Sequence, residues 1–327
     1  MKKYIFIIGL SLQCLLQAAQ TTIFAHGIID TPCQIKRFIE AIATPDHTTV
    51  MFPDAYPAQG WGLNRAIDLC TKKFGKTVNR NAMFMGQSDD LQALDNSIKA
   101  QPTHTTLIGY GTSRGAATWL TYTAIHNPEN LHALVLDACP CSMPDAIKPI
   151  ITQYGIHETW APAIFKILFP QYKPDQAITP LQAIALIKNK NLPILLLHSK
   201  TDTTVPYAHS VALYLELKKH GFHNIHMVSM PHGRHSFLLQ NSEIKTRYLQ
   251  AVHSFYKKYN LPYNEQLIDE TILSPELTDQ QAQEIIDQHQ AHLDQAYQST
   301  HRKQLFTSSA LLSAITLWYI ARFYKKL

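Results

Sequence analysis

Charge is scarce in this 327-residue chain: Asp, Glu, Lys and Arg make up 16%, against 46% hydrophobic residues. Such a composition excludes a disordered or solvating chain and leaves room for a large core. The formal net charge is +5, but the basic residues are scattered, and the one cluster is the C-terminal tip RFYKKL. No stripe of Lys and Arg interleaved with aromatics is present, which excludes nucleic acid as a partner class. Cysteine is scarce too, five residues in all. Cys139-Pro-Cys141 is too isolated to build a tetrahedral zinc site. Apart from Cys14 near the start, Cys33, Cys70, Cys139 and Cys141 form an even set. In an exported chain that permits disulfides, and otherwise it reads as buried small apolar residues. No internal repeat is present.

Long uncharged runs occur only at the two ends. MKKYIFIIGLSLQCLLQAAQ (1–20) has Lys2 and Lys3, an apolar stretch and then Ala18-Ala19. That is the pattern of a signal peptide or N-terminal anchor, with an ordinary first strand as the alternative. At the other end, 18 residues without charge lie between Lys303 and Arg322, near the lower limit for a spanning helix. Trp318 and Tyr319 suit an interface. A transmembrane helix over 304–324 is expected, with an amphipathic helix packed on the body as its alternative. A polar, Gln-rich helical stalk over 260–303 precedes it. Basic residues at both tips place the body on the extracytoplasmic side.

Between the ends, strand and helix patterns alternate. TTIFA (21–25), TTVMF (48–52), TTLIGY (105–110), HALVLDA (132–138), PILLLHS (193–199) and HNIHMVS (223–229) read as strands. Helical spacing is predicted over 33–42, 62–74, 88–101, from Arg114 onward, and over 242–259. Unbroken apolar runs such as PILLLHS fit strands covered on both faces. The alternation predicts an α/β fold with a mostly parallel sheet flanked by helices. Residues 143–190 break the rhythm with prolines, aromatics and short helical pieces, and read as a small helical cap inserted into a domain spanning 21–259.

Residues 109–115 read GYGTSRG, after a strand and before a helix. Glycines on both sides of Ser113 suit a turn so sharp that neighbouring backbones touch. G-x-S-x-G in that setting is a nucleophile elbow, with a helix amino end aimed at a developing oxyanion. A serine hydroxyl needs a base, and the base needs an orienting acid. KTDTTVP offers Asp202 after one later strand, and MPHGRHSF offers His232 and His235 after the next. The order Ser113, Asp202, His235 suits a hydrolytic triad. Asp137, at the end of HALVLDA, is the alternative acid, and His232 the alternative base. Asp54 in FPDAYPAQGWG is placed either to line a pocket or to cap a helix.

HGIID (26–30), GTSRG, HSKTDTTVP (198–206) and HGRHSF (232–237) together make the chain resemble the α/β-hydrolases, in their esterase/lipase or prolyl-oligopeptidase-like branch, over residues 21–259. Ser199 stands where that family usually has glycine, and the HG turn already at residue 26 means that either the family's first two strands are missing and the sheet is shortened, or the N-terminal stretch is a strand after all. The resemblance implies a triad of Ser113, Asp202 and His235. It also implies an oxyanion hole from the backbone N–H groups of Ile28 and Arg114, with His26 supporting that turn. It implies a serine hydrolase acting on a small-molecule or lipid ester, with no metal and no organic cofactor; a peptidase or a catalytically idle binding module is the alternative. The apolar cap residues Trp160, Phe165, Ile167, Leu168 and Phe169 are expected to be shared between packing and an acyl-selecting wall.

Overall fold

The computed structural model of the chain describes residues 20–27, 39, 42, 47–50, 84–173, 178–235, 238–240, 242–275 and 277–324, with side chains to residue 301. Six strands, β1 (Gln20–Ala25), β2 (His47–Val50), β3 (Thr106–Thr112), β4 (Leu131–Asp137), β5 (Ile194–Ser199) and β6 (Ile225–Met230), form one sheet in the order β2-β1-β3-β4-β5-β6. Every neighbouring pair is parallel. The apolar runs of the sequence explain why. In a strand, successive side chains leave opposite faces, and here both faces are core. Leu107, Leu134 and Leu196 join one buried cluster, while their neighbours Ile108, Val135 and Leu197 join the other.

Helices cover both faces. On the first lie α1 (Asp89–Lys99), α2 (Arg114–His126) and, later in the chain, α6 (Ala208–Lys219), which contribute Leu94, Trp119, Leu120, Val211 and Leu217. On the second lies α7 (Ser242–Lys258), which contributes Tyr248, Val252 and Phe255. Predicted helices and strands coincide with these elements. Of the helix expected over 33–42, Ile39 and Ile42 are helical and buried; its other positions, and the helix expected over 62–74, lie outside the described residues.

Between β4 and β5 the chain forms α3 (Lys148–Gln153), α4 (Ala161–Leu168) and α5 (Pro180–Leu186). Each begins with a proline in its first turn, where the missing N–H costs nothing. Phe165 is buried, and its ring meets those of Phe169 at 4.7 Å and Tyr172 at 4.9 Å. Both of these phenylalanines pack with the first core cluster. Trp160 and Ile167 instead face solvent. The apolar residues of the cap thus divide between packing and the outer surface.

After α7, two short 3-10 turns at Glu265–Leu267 and Glu270–Leu273 run along the sheet, with Leu261, Ile272 and Leu273 buried in the second cluster. A long helix, α8 (Asp279–Tyr324), follows. It lies against α3 and α6 through the buried Ala282 and Leu293. The Tyr297 ring sits edge-on to His157 at 4.9 Å. The expected stalk is therefore packed on the body over this length. Among the described residues no helix is long and apolar enough to cross a membrane. The side chains of the expected span over 304–324, and residues 1–19 of the expected leader, lie outside the described residues; Gln20 begins β1.

Candidate active site

β3 ends at Thr112 and α2 starts at Arg114, so Ser113 alone makes the reversal. It does so at φ 51° and ψ −115°, a region that side-chain-bearing residues rarely enter. The two glycines of GTSRG have a direct steric reason. A Cβ on Gly111 would lie 2.5 Å from the Ala116 nitrogen, and one on Gly115 would lie 1.9 Å from the Ala25 carbonyl oxygen. The backbones of β1, β3 and α2 touch at this corner, and the Ser113 N–H donates to the Asp137 carbonyl at 2.7 Å.

The sheet brings the other two predicted residues to the same edge. Asp202 follows β5 and His235 follows β6, both at the carboxyl ends of strands. His235 Nε2 lies 2.8 Å from Ser113 Oγ, and its Nδ1 lies 2.7 Å from Asp202 Oδ2. The other carboxylate oxygen, Oδ1, accepts the N–H of Thr204 at 2.8 Å and of Val205 at 3.0 Å. Burial alone would raise the Asp202 pKa, but hydrogen bonds from His198 and His235 and their positive potential outweigh it. The carboxyl is held well below the usual range and stays ionised. The loops are stitched together as well. Ser199 Oγ donates to the Gly233 carbonyl at 2.9 Å, and the Gly233 N–H donates to Thr201 Oγ1 at 3.1 Å. The serine that replaces the usual glycine thus ties the acid loop to the histidine loop.

Residues 72–261, more than half of the chain, match the prolyl oligopeptidase family. The chain belongs to the prolyl oligopeptidase family. That family and the six-stranded parallel sheet place the chain in the α/β-hydrolase superfamily. Among solved structures it is similar to the Pyrococcus horikoshii acylaminoacyl peptidase, with 16% identity and a TM-score of 0.48 over 79% of this chain and 40% of that one. A Pyrococcus furiosus esterase gives 16% identity and 0.48 over 74% and 84% of the two chains. A Zea mays acyl-protein thioesterase gives 18% and 0.41 over 72% and 94%. The chain thus spans 40% of the length of the acylaminoacyl peptidase. No curated protein sequence matches it.

In this prolyl oligopeptidase family member the alternative residues are placed elsewhere. His232 is half-exposed and pairs with Glu243 at 3.1 Å. The Asp137 carboxylate is buried in the second core layer, where Oδ2 accepts the Tyr248 hydroxyl at 2.9 Å, and Tyr248 is hydrogen-bonded in turn to Tyr110. His26 and Gly27 follow β1, whose Ala25 pairs with Gly111 beside the elbow. His26 Nδ1 donates to the Gly27 carbonyl at 2.7 Å. Arg114 is the first residue of α2, where N–H groups face out of the amino end. Ile28 and Asp54 lie outside the described residues, as do Cys33 and Cys70.

Two features were not read from the sequence. The Arg114 side chain turns inward and pairs with Asp90 of α1, Nε to Oδ2 at 2.8 Å and Nη2 to Oδ1, with both side chains fully buried. Asp90 also accepts the Gly86 N–H at 2.7 Å. The pair binds the first turn of α2 to the loop before α1. Asp90→Ala would leave a buried guanidinium without its partner carboxylate, and a loss of about 3–5 kcal/mol is expected, read as a lowered urea midpoint. Asp90→Glu should lose less.

The second feature is the setting of the thiols. Cys139 and Cys141 are both free. Cys141 Sγ lies 3.0 Å from His209 Nδ1. Burial pushes the Cys141 thiol up to about 12 and the His209 imidazole down to about 3. Both are neutral at pH 7, so this thiol is not a nucleophile. Among the described residues no three metal-ligating side chains cluster. A cavity of about 720 Å³ lies at the other end of the sheet, at the start of β6, lined by Ile225, Met227, Tyr214, Ser254, Lys257 and Leu273.

Proposed function

We propose that the chain hydrolyses carboxylic esters through an acyl-enzyme on Ser113, with His235 as base and Asp202 as orienting acid. The unbroken line from Ser113 Oγ through His235 to Asp202, with spacings of 2.8 and 2.7 Å, carries this reading. Ser113 Oγ attacks the carbonyl carbon and its proton passes to His235 Nε2. Asp202 holds the imidazole with Nδ1–H toward itself and stabilises the imidazolium. The carbonyl oxygen becomes an oxyanion, received by the N–H of Arg114 at the helix amino end; the resemblance implies the N–H of Ile28, outside the described residues, as the second donor. Such donors typically contribute about 10²–10³ in rate each. The tetrahedral adduct collapses, the alcohol leaves with the proton from Nε2, and water repeats the cycle on the acyl-serine.

A second reading, cleavage of aminoacyl amides or short peptides, is favoured by the family to which the chain belongs. The cap does not decide between the two, because Phe165 packs inward while Trp160 and Ile167 face solvent. The deciding experiment labels the protein with a fluorophosphonate and compares kcat/KM on acyl esters of rising chain length with that on aminoacyl amides. Labelling with ester turnover supports the first reading, and labelling with amide turnover alone supports the second. Absence of labelling of folded protein overturns both and leaves an idle binding module.

From the sequence of 1–20 and 304–324 alone, we further propose a membrane tether with the body on the extracytoplasmic side and a lipid ester as one substrate class. Membrane fractionation of the full chain and of a chain ending at residue 303 tests this. Equal partition of both into the soluble fraction overturns it.

A further inference from the structure

Asp202 does not serve His235 alone. A second imidazole, His198 at the end of β5, is fully buried with Nε2 3.4 Å from Asp202 Oδ2 and 2.8 Å from the Val205 carbonyl oxygen. A carbonyl only accepts, so Nε2 of His198 carries a proton and shares it between the carbonyl and the carboxylate. On the ring's other side, Nδ1 meets Ser210 Oγ at 2.7 Å, which holds the ring plane. Oδ1 takes two backbone N–H groups, and Oδ2 takes the His235 N–H and lies 3.4 Å from the His198 Nε2 whose main acceptor is the Val205 carbonyl.

We infer that His198 is a positioning residue for the triad: it fixes the Asp202 carboxylate in the plane of His235 and, by sharing Oδ2, limits how strongly that oxygen stabilises the His235 imidazolium. The inference rests on the reading of Ser113, Asp202 and His235 as the triad. A hydrogen bond to one oxygen withdraws charge from the other bonds that oxygen makes. Removing the His198 donor should therefore concentrate charge toward His235 and favour its protonated, catalytically idle form. The other titratable groups facing this pair come from the start of α6. The Tyr207 ring stands edge-on to His198 at 5.9 Å, and His209 precedes Ser210. Lys148 and His289 lie behind His209, which stays neutral.

Two substitutions separate the donor from the bulk of the ring. His198→Gln places its amide N–H near the position of Nε2 and keeps the donor. His198→Asn reaches only as far as Nδ1, keeps the Ser210 contact and loses the donor. The rate of Ser113 modification by a fluorophosphonate, measured from pH 4.5 to 9, requires neutral His235 and needs no knowledge of the substrate. In His198→Asn the acid limb of that profile should move up by about half to one pH unit, with a fall of about two- to tenfold in rate at pH 6. In His198→Gln the limb should stay within a few tenths of a unit of wild type.

Equal profiles in the two variants, shifted or not, would overturn the inference. If His198→Asn does not fold, ¹⁵N-imidazole spectra of the wild-type chain decide, with His198→Gln assigning the resonance. Protonated Nε2 on His198 is expected, and a bare Nε2 would overturn the proposal. If wild type does not react with the probe at all, it is the catalytic reading of Ser113 that fails, a result distinct from wild-type reactivity with unmoved profiles.

Discussion

Ser113→Ala should lower turnover by a factor on the order of 10⁶ while leaving the fold in place. Nucleophile and base act as one unit, so loss of the serine forfeits nearly all that the triad contributes. What survives comes from binding and from the oxyanion donors, which the substitution does not touch. The local backbone allows a sharper statement. Ser113 is held at φ 51° and ψ −115°, a conformation that costs about 1–3 kcal/mol for a residue with a Cβ. Alanine keeps that strain, whereas glycine is free of it at a cost of about 0.5–1 kcal/mol in the unfolded chain. Ser113→Gly should therefore be as inactive as Ser113→Ala and equally or more stable in urea. If Ser113→Ala retained more than about a hundredth of the wild-type kcat/KM, Ser113 would not be the nucleophile. If Ser113→Gly were the less stable of the two, the elbow would carry no strain at this residue.

The elbow could be read without a structure because its chemistry and its sterics occupy the same seven residues. Gly111 and Gly115 are required by contacts with Ala116 and Ala25, and the apolar run before them and the helical spacing after them place the turn. Asp202 and His235 were legible for a related reason: each closes a loop directly after a strand, and parallel strands deliver such loops to one edge. What escaped is set by tertiary register. Arg114 reads as an arbitrary residue within G-x-S-x-G, and Asp90 as ordinary first-turn helix acidity. Only the packing of α1 against α2 makes them a buried pair. Ser199 looked like a departure from a motif until the histidine loop came to lie across it. His198 sat inside a recognised stretch, but local spacing does not reveal that its ring folds back on Asp202. The cap was the least legible part, because its apolar residues serve packing and surface at similar spacing. Phe165 and Ile167 lie two positions apart, one buried and the other exposed.

Asp202→Asn should reduce kcat on the order of 10⁴-fold, and the reason lies in the bonds the carboxylate already makes. Both oxygens accept from fixed donors, backbone N–H groups on one side and the His235 N–H on the other, with the His198 imidazole 3.4 Å from the same oxygen. An asparagine must turn its NH₂ toward one of those sides. Facing His235, it drives the imidazole to the tautomer that presents Nε2–H to Ser113, which cannot take the proton. Facing Thr204 and Val205, it disrupts the loop. The same change should destabilise the fold at neutral pH by roughly 1–3 kcal/mol. The penalty is pH-dependent. The folded pKa of Asp202 lies below that of the unfolded chain, so its ionised form stabilises the fold above about pH 4. That contribution is lost as pH falls below the unfolded value and through the folded one. The difference in melting temperature between wild type and Asp202→Asn should therefore be widest near pH 7 and narrow toward pH 3. Asp137→Asn is the control. Its carboxylate faces Tyr248 in the core, so the variant should lose stability while keeping kcat within about tenfold. Should Asp137→Asn be the variant that loses 10⁴-fold, with Asp202→Asn close to wild type, the acid of the triad would be Asp137, and the line from Ser113 through His235 would end elsewhere than at Asp202.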